Sequence, residues 1–518
     1  MRLIDYFQKG LEHGPEQPAF VDGHSRLTYA DADEIARRIA SALHGRGLAN
    51  GTRSALFSPN YASAFVGLVG IFHAGNVWVP TNARNSVDAN VHMLNLTSCE
   101  VLFYHSDLED AALDMIRQVP SLKLVVCLDR DGRDGAPSLD AFATAGDGTL
   151  PDVPDDEDRI ASVFPTGGTT GLSKGAQWSH GTWGQMVQEF WANMPCEGRA
   201  VHLVAGPMTH AAGGLAVMAM ARGATNVVIP KADPELIMQS IQEHGITHLY
   251  LPPTVLYMML SHPNVRNYDY SSLQYFVLAA APCAPEKLRE ALEVFGPVMC
   301  QCYGQAEAPM FISFLGRDVL SDAAKGNVAH RFASCGRPSL SVRTAILDDD
   351  GAEVPCGERG EIAVRGPLVF DGYVNNPKAM QSAFRAGWLL TGDVGYRDED
   401  GFLYIVDRKK DMIVTGGFNV FSAEVEQVIL SHPAVNDCAV VGVPDAKWGE
   451  AVKAVLELKA GSTAFDPSEI IELVKQQLGG VHAPKSVDVW QTLPRSPAGK
   501  VLKRDIREQF WVGETRAV

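Results

Sequence analysis

Phe164-Pro-Thr166-Gly-Gly-Thr-Thr-Gly171-Leu-Ser-Lys174-Gly175 follows directly on the apolar run 160–164. Glycines let backbone N–H groups turn toward an anion, three threonine hydroxyls add donors and a lysine adds charge, a combination that suits a polyphosphate. The plainer alternative is a flexible glycine-rich turn. The common nucleotide loop G-x-x-x-x-G-K-[ST] is not matched, because Lys174 follows Ser173 and precedes Gly175, and no Rossmann fingerprint is present. Gly171-Leu-Ser173-Lys-Gly175 does satisfy G-x-S-x-G, but that nucleophile elbow needs a strand before the serine and a helix after it. Here the residues before Ser173 are the Gly/Thr loop itself, which argues against a serine nucleophile.

Outward from this loop, short apolar runs at 122–129, 247–254, 275–282 and 297–304 alternate with helical patterns. One of these, APEKLREALEVFG, opens on Pro285 and stops at Gly296. Thr28 and Asp31 form a capping-box pattern ahead of Ile35, Ile39 and Leu43, which recur at helical spacing. The uncharged stretch 54–83 is broken by Pro59, Gly67, Gly70, Gly75 and Pro80, so it reads as a buried helix and a short strand rather than a membrane span. The pattern predicts an α/β fold with mainly parallel strands.

With 518 residues, the chain is long enough for one large and one small unit. Its net charge of −17 disfavours nucleic acid and anionic membrane as partners. Nine cysteines without a C-x-x-C pair read as reduced, mostly buried thiols, and the N-terminal segment lacks a secretory apolar core, so the cytoplasm is expected. Segment 131–158, poor in large apolar side chains, is expected to be a surface connection. The charge run 407–411 marks either a solvated turn or a boundary. Beyond it come a helix at 422–431, strands near 438–443 and 451–458, a helix at 467–478 and a strand at 486–491, the pattern of a small second domain.

The Gly/Thr loop resembles the phosphate loop of the adenylate-forming superfamily, which includes the AMP-dependent acyl-CoA synthetases, and the likeness continues along the chain. Segments Pro207-Met-Thr-His210-Ala-Ala-Gly213, Ala279-Ala-Ala281-Pro282, Tyr303-Gly304-Gln-Ala306-Glu307, Gly387-Trp-Leu-Leu-Thr-Gly-Asp393, Asp407-Arg408-Lys-Lys410-Asp, Gly416-Gly417-Phe-Asn419 and Pro494-Arg-Ser-Pro-Ala-Gly-Lys500 follow in the family's order. The resemblance implies a large multi-layer N-terminal α/β domain, 1–409, that binds adenylate and acid. It implies with it a small mobile α+β C-terminal domain, 410–518, pivoting at Lys410.

Several of these residues also have a reading of their own. Glu307, just past a strand, can ligate Mg²⁺ through one oxygen while phosphates supply others. Asp393 can accept both hydroxyls of a ribose or bond its own backbone as a turn residue. Tyr303 offers a flat face for adenine or packs in the core. His210 is either a satisfied buried histidine or, by resemblance, part of the acyl site and pantetheine tunnel. Lys500 falls in a basic stretch with Arg495, Lys503, Arg504 and Arg507; by resemblance it bridges the acyl carboxylate and the α-phosphate. The resemblance assigns ATP or AMP to Thr166, Gly167, Gly168, Thr169, Thr170, Gly171, Lys174, Ala281, Pro282, Tyr303, Gly304, Ala306, Glu307, Asp393 and Arg408. The resemblance likewise implies that coenzyme A passes Gly416 and Gly417, whose missing side chains would leave room for a pantetheine arm.

The implied reaction is an acid–thiol ligation. A carboxylic acid and ATP give an acyl-adenylate, and coenzyme A then takes the acyl group and releases AMP. The expected partners are these substrates, with no nucleic acid and no integral membrane segment, and a homodimer is compatible with the sequence. Two positions depart from the family pattern: Ala306 stands where threonine is usual and Gly167 where serine is usual, each deleting a hydroxyl near the phosphates. Ala306 therefore leaves open an enzyme that only thioesterifies a preformed acyl-adenylate. A stand-alone adenylation enzyme loading a carrier protein is a further alternative, disfavoured because the sequence stops soon after Lys500 without a carrier domain. The acid itself is not legible, although the Gly/Ala-rich stretch 211–224 leaves space for a bulky apolar one.

Overall fold

The computed structural model describes residues 1–151, 155–166, 173–459, 461–462, 465–495 and 501–511. Two sheets dominate the first compact unit, Met1–Thr344 with Val364–Leu389. In the nine-stranded sheet, Pro18–Val21, Thr225–Val228, Val201–Val204, His248–Leu251, Tyr275–Leu278 and Met299–Gln305 run parallel in that order. In the seven-stranded sheet, Ile160–Pro165, Val77–Thr81, Arg53–Phe57, Val101–Tyr104 and Leu124–Cys127 are parallel, and Gly175–Ser179 turns back antiparallel against Ile160–Pro165. The mainly parallel α/β class read from the sequence is the one observed.

Local signals act as expected. Thr28 caps Tyr29–Gly45 through Asp31 N, and Asp31 returns the bond as a capping box. Helix Pro285–Phe295 starts at its proline and ends at Gly296, which adopts φ +84°. The described residues of segment 131–158 run along the surface as expected, except at one helical turn. Leu139–Thr144 is a short helix with Leu139, Phe142 and Ala143 buried. Its end packs so closely that a Cβ on Gly146 would come within 2.1 Å of the Arg38 carbonyl oxygen. Two apolar side chains at i and i+3 suffice to seat one helical turn on a neighbour, and composition averaged over the segment hides them.

The second unit comprises Ala345–Ala363 and Leu390–Val518. Its C-terminal part is a sheet of Val435–Asp445, Gly449–Leu458 and Ile413–Thr415, antiparallel, with Ser486–Trp490 parallel at one edge, covered by helices Ser422–Leu430 and Pro467–Leu478. These are the elements expected beyond residue 410. Packing groups 345–363 and 390–409 with them, so by packing the second unit starts before Lys410. All nine cysteines are thiols outside any disulfide; Cys196 and Cys335 are partly exposed, Cys356 is exposed, and the other six are buried.

The nine-stranded sheet buries two histidines in register, His202 opposite His248. His202 Nδ1 lies 3.0 Å from Asn226 Oδ1 while its Nε2 meets no partner among the described residues, and burial pushes both imidazoles down to about 4. The folded chain therefore keeps both rings neutral where the unfolded chain, at its ordinary value of 6.5, protonates. Stability from this source is fully present above pH 6.5 and is lost as pH falls toward 4, by about 2 kcal/mol per ring between pH 7 and pH 5. The melting temperature should accordingly fall between these pH values, and His202→Gln should flatten the dependence. An unchanged pH profile in that variant would contradict the assignment.

Candidate active site

The hairpin Ile160–Pro165/Gly175–Ser179 carries the Gly/Thr loop between its strands. Thr166 N donates to Lys174 O at 2.8 Å, and Lys174 N returns to Thr166 Oγ1 at 3.3 Å, closing the neck of the loop. Gly167, Gly168, Thr169, Thr170 and Gly171 lie outside the described residues. Ser173 precedes a strand rather than a helix, so the elbow geometry for a serine nucleophile is absent there.

Glu307 and Ala306 form the two-residue tip of a second hairpin, in which Gln305 pairs with Ala308. This tip is held from two sides. Trp178 Nε1 donates to Ala306 O at 2.7 Å, and the Tyr373 hydroxyl donates to Glu307 Oε1 at 2.5 Å. Lys174 Nζ lies 3.9 Å from the centroid of the same Tyr373 ring, within cation–π range. Burial, and then the charge of Glu307, push the Tyr373 phenol far above its ordinary range, so it remains a donor. Lys174, whose backbone is tied to Thr166, and Glu307, named separately from the sequence, thus meet around a tyrosine that no sequence pattern singled out. Tyr373 lies 66 residues from Glu307, and only the tertiary fold pairs them.

A single carboxylate suits Mg²⁺ when phosphates and water supply the remaining oxygens. Glu307 fits that role: one oxygen is engaged by Tyr373, and Oε2 accepts no hydrogen bond from any described residue. No cluster of three or more metal-ligating side chains occurs among the described residues, so a protein-only metal cage is not offered there.

Tyr303 is buried at the end of its strand, and Gly304 is required by close approach, since a Cβ would lie 2.4 Å from Met310 N. Ala281 and Pro282 are exposed, preceded by Ala280 at φ +74°, a left-handed conformation that a Cβ-bearing residue adopts at a cost of about 1–3 kcal/mol. Such strain concentrates at ligand-binding turns, and the run of alanines did not announce it. His210 is exposed at the start of helix Ala211–Met220, not buried. The turn before it is set by Asn60, another residue the sequence reading missed. Its buried amide donates to the carbonyls of Gly206 and Ile229 and accepts from Met208 N.

Within the second unit, antiparallel register sets Asp393 opposite Arg408, and Arg408 Nε lies 2.7 Å from Asp393 Oδ1. Asp393 is buried while Arg408 is half exposed, so the pair presents one oriented carboxylate. Lys410 lies in the single turn Lys409–Asp411, and Arg507 Nη1 donates to its carbonyl oxygen at 3.3 Å. Gly416 and Gly417 adopt φ +57° and +81°. A Cβ on Gly416 would meet the Trp448 indole at 2.5 Å, whereas one on Gly417 would meet nothing within 4 Å. Lys500 lies outside the described residues. The nearby cations are engaged: Arg495 pairs with Asp437 and Glu457, Lys503 with Glu426, Arg504 with Asp505 and Glu508, and Arg507 with Asp411.

A family model described as AMP-binding enzyme matches residues 7–374, and one described as AMP-binding enzyme C-terminal domain matches residues 424–500. A medium/long-chain-fatty-acid–CoA ligase of Mycobacterium tuberculosis is 43% identical over 368 residues, which make up 70% of this chain and 63%, under two thirds, of that relative. A feruloyl-CoA synthase of an Amycolatopsis species is 33% identical over 504 residues, 96% of each chain. Among solved structures, the amide bond synthetase of Marinactinospora thermotolerans superposes with a TM-score of 0.88 at 30% identity, covering 98% of this chain and 100% of that one.

Proposed function

This chain belongs to the AMP-binding enzyme family, in its branch of AMP-forming acid–thiol ligases, and from that premise we propose that it converts an apolar carboxylic acid through an acyl-adenylate to its coenzyme A thioester. The observation that carries the proposal is the meeting of Lys174 and Glu307 around Tyr373, at the neck of the Gly/Thr loop. In the first step a carboxylate oxygen attacks the α-phosphorus of ATP, and the bond to the pyrophosphate oxygen breaks. Little covalent work falls to the protein; it orients the reactants and balances charge. Lys174 and the loop donors face the phosphates, Lys500 bridges the acid and the α-phosphate, and Asp393, fixed by Arg408, receives the ribose hydroxyls. Tyr303, Gly304, Ala281 and Pro282 border the adenine. Bound Mg²⁺ would be held by Glu307 and would neutralise phosphate charge.

In the second step the coenzyme A sulfur attacks the acyl carbonyl and AMP leaves. Gly417 leaves room for the pantetheine arm beside Gly416, whose missing side chain makes way for the Trp448 indole, His210 borders the acyl group, and the segment from 410 onward pivots at Lys410 to exchange Lys500 for this glycine turn. Relatives named for fatty and ferulic acids, together with the small, buried residues of helix Ala211–Met220, support a large apolar acid. A panel of medium-chain fatty and hydroxycinnamic acids with ATP, and their synthetic adenylates, each offered coenzyme A, a carrier protein or an amine, tests the reading. CoA-dependent AMP release supports it. Transfer only to a carrier or an amine would redirect the second step.

Ala306 favours a second reading, in which thioesterification of a supplied adenylate is the main activity. Its side chain is partly exposed at the hairpin tip and cannot donate to a phosphate. Ala306→Thr is expected to raise acid-dependent ATP–pyrophosphate exchange about tenfold, the value of one restored charged hydrogen bond. Exchange already fast in the unmodified protein, and unmoved by the substitution, would remove the second reading.

A further inference from the structure

We propose that Tyr373 is a positioning residue of the nucleotide site, holding the Glu307 carboxylate and the Lys174 ammonium in place before ATP binds; the proposal rests on the adenylating reading above. The placement is built in several layers. Gly372–Tyr373 pairs antiparallel with Gly175–Ser179, the strand that leaves the Gly/Thr loop, with Tyr373 opposite Ala176. Gly175 permits this approach, because a Cβ there would lie 2.8 Å from Val163 Cγ1 and 3.3 Å from Val374 Cγ2. Val374 N donates to Gly175 O at 2.9 Å, and Asp371 N donates to Gln177 O at the same distance. On the other flank, Phe370 N donates to Glu307 O at 3.0 Å. Asp371 Oδ2 accepts from Ser179 N and Thr182 Oγ1. The five residues 370–374 therefore fasten the exit of the Gly/Thr loop to the Glu307 turn.

Tyr373 alone in this strap reaches both functional side chains. Its hydroxyl engages Glu307 Oε1, leaving Oε2 without a described donor. Its ring supports Lys174, which forms no ion pair with any described carboxylate. A cation resting on a π face is held in direction without being neutralised, so it stays available to an incoming anion. A carboxylate fastened through one oxygen loses the rotations that would otherwise be frozen when a cation binds, and its second oxygen is presented in advance.

The test uses the full-length protein, read by Mg²⁺ titration of ATP–pyrophosphate exchange and by calorimetric ATP binding with Mg²⁺ and with EDTA. Tyr373→Phe keeps the ring and removes the hydroxyl. It should raise the half-saturating Mg²⁺ concentration about tenfold, leave the KM for the acid unchanged, and leave ATP affinity in EDTA unchanged. Tyr373→Leu should additionally weaken ATP binding in EDTA about threefold, since Lys174 loses its support. Tyr373→His, with a ring and a donor retained, should fall between Tyr373→Phe and the unmodified protein, and it provides a reading if Tyr373→Phe proves unstable. Because Tyr373 acts through Glu307, the double variant Glu307→Gln/Tyr373→Phe should be no worse than Glu307→Gln alone. Normal Mg²⁺ dependence in Tyr373→Phe, or multiplying effects in the double variant, would overturn the proposal. If Glu307→Gln itself leaves Mg²⁺ dependence unaltered, the assignment of Glu307 fails first and the proposal falls with it.

Discussion

Lys500→Ala is expected to lower acid-dependent ATP–pyrophosphate exchange by about 10³-fold while leaving thioesterification of a synthetic acyl-adenylate within about tenfold of normal. The asymmetry follows from charge. Negative charge crowds together when a carboxylate approaches an α-phosphate, and a lysine placed between them stabilises that transition state more than the ground state. In the second step the acyl carbon is attacked by sulfur and AMP departs, and the same ammonium is not needed. The residues on either side of 496–500 are firmly held. Arg495 and Val501 form an antiparallel bridge, Leu502 N donates to Pro494 O at 2.8 Å, and Lys503 Nζ reaches Glu426 and Ser422 at 2.8 Å. Losing the lysine should therefore subtract a charge without loosening the domain, and the melting temperature should stay put. A comparable loss in both half-reactions would show that Lys500 does something other than assist adenylation.

Lys410→Pro should produce the opposite pattern, with thioester formation reduced about 10²-fold and exchange by less than about fivefold. A proline fixes φ near −65°, so a residue whose rotation carries the C-terminal domain from one arrangement to another becomes locked. The neighbours of Lys410 suit a pivot. Lys409 is fastened to Asp349 and Glu361 at 2.8 and 3.1 Å, while the next strand, Ile413–Thr415, belongs to the C-terminal sheet. Single-turnover measurements of each half-reaction decide the matter; equal losses would remove the pivot from Lys410.

Much of the fold was readable because its signals are local. Pro285 and Gly296 bracket a helix by fixing backbone angles, and Thr28 with Asp31 satisfies orphan amides within four residues. The Gly/Thr loop and Glu307 were legible for the same reason: each side chain's chemistry can be named without its neighbours. What joins them could not be read this way. The bonds from Tyr373 to Glu307, from Trp178 to Ala306 and from Asn60 to Gly206 span 66, 128 and 146 residues. They depend on which strands become adjacent, which no short pattern encodes. The basic stretch 495–507 shows the same limit. In sequence it is a run of cations around Lys500, yet Arg495, Lys503, Arg504 and Arg507 all pair with carboxylates. Their charge helps to hold the C-terminal fold, and no short pattern names those carboxylates.

The uneven exposure of the nine thiols gives the molecule a built-in optical handle. Burial pushes Cys283 up to about 11 and Cys99 and Cys302 up to about 12, and raises Cys300 and Cys438 as well, so these sulfurs stay protonated and shielded. Cys356 is exposed in a segment preceding Lys410, and a brief maleimide pulse should dye it first. A second fluorophore placed beyond Lys410 would then report the proposed pivot, if it occurs during turnover, as a change in energy transfer.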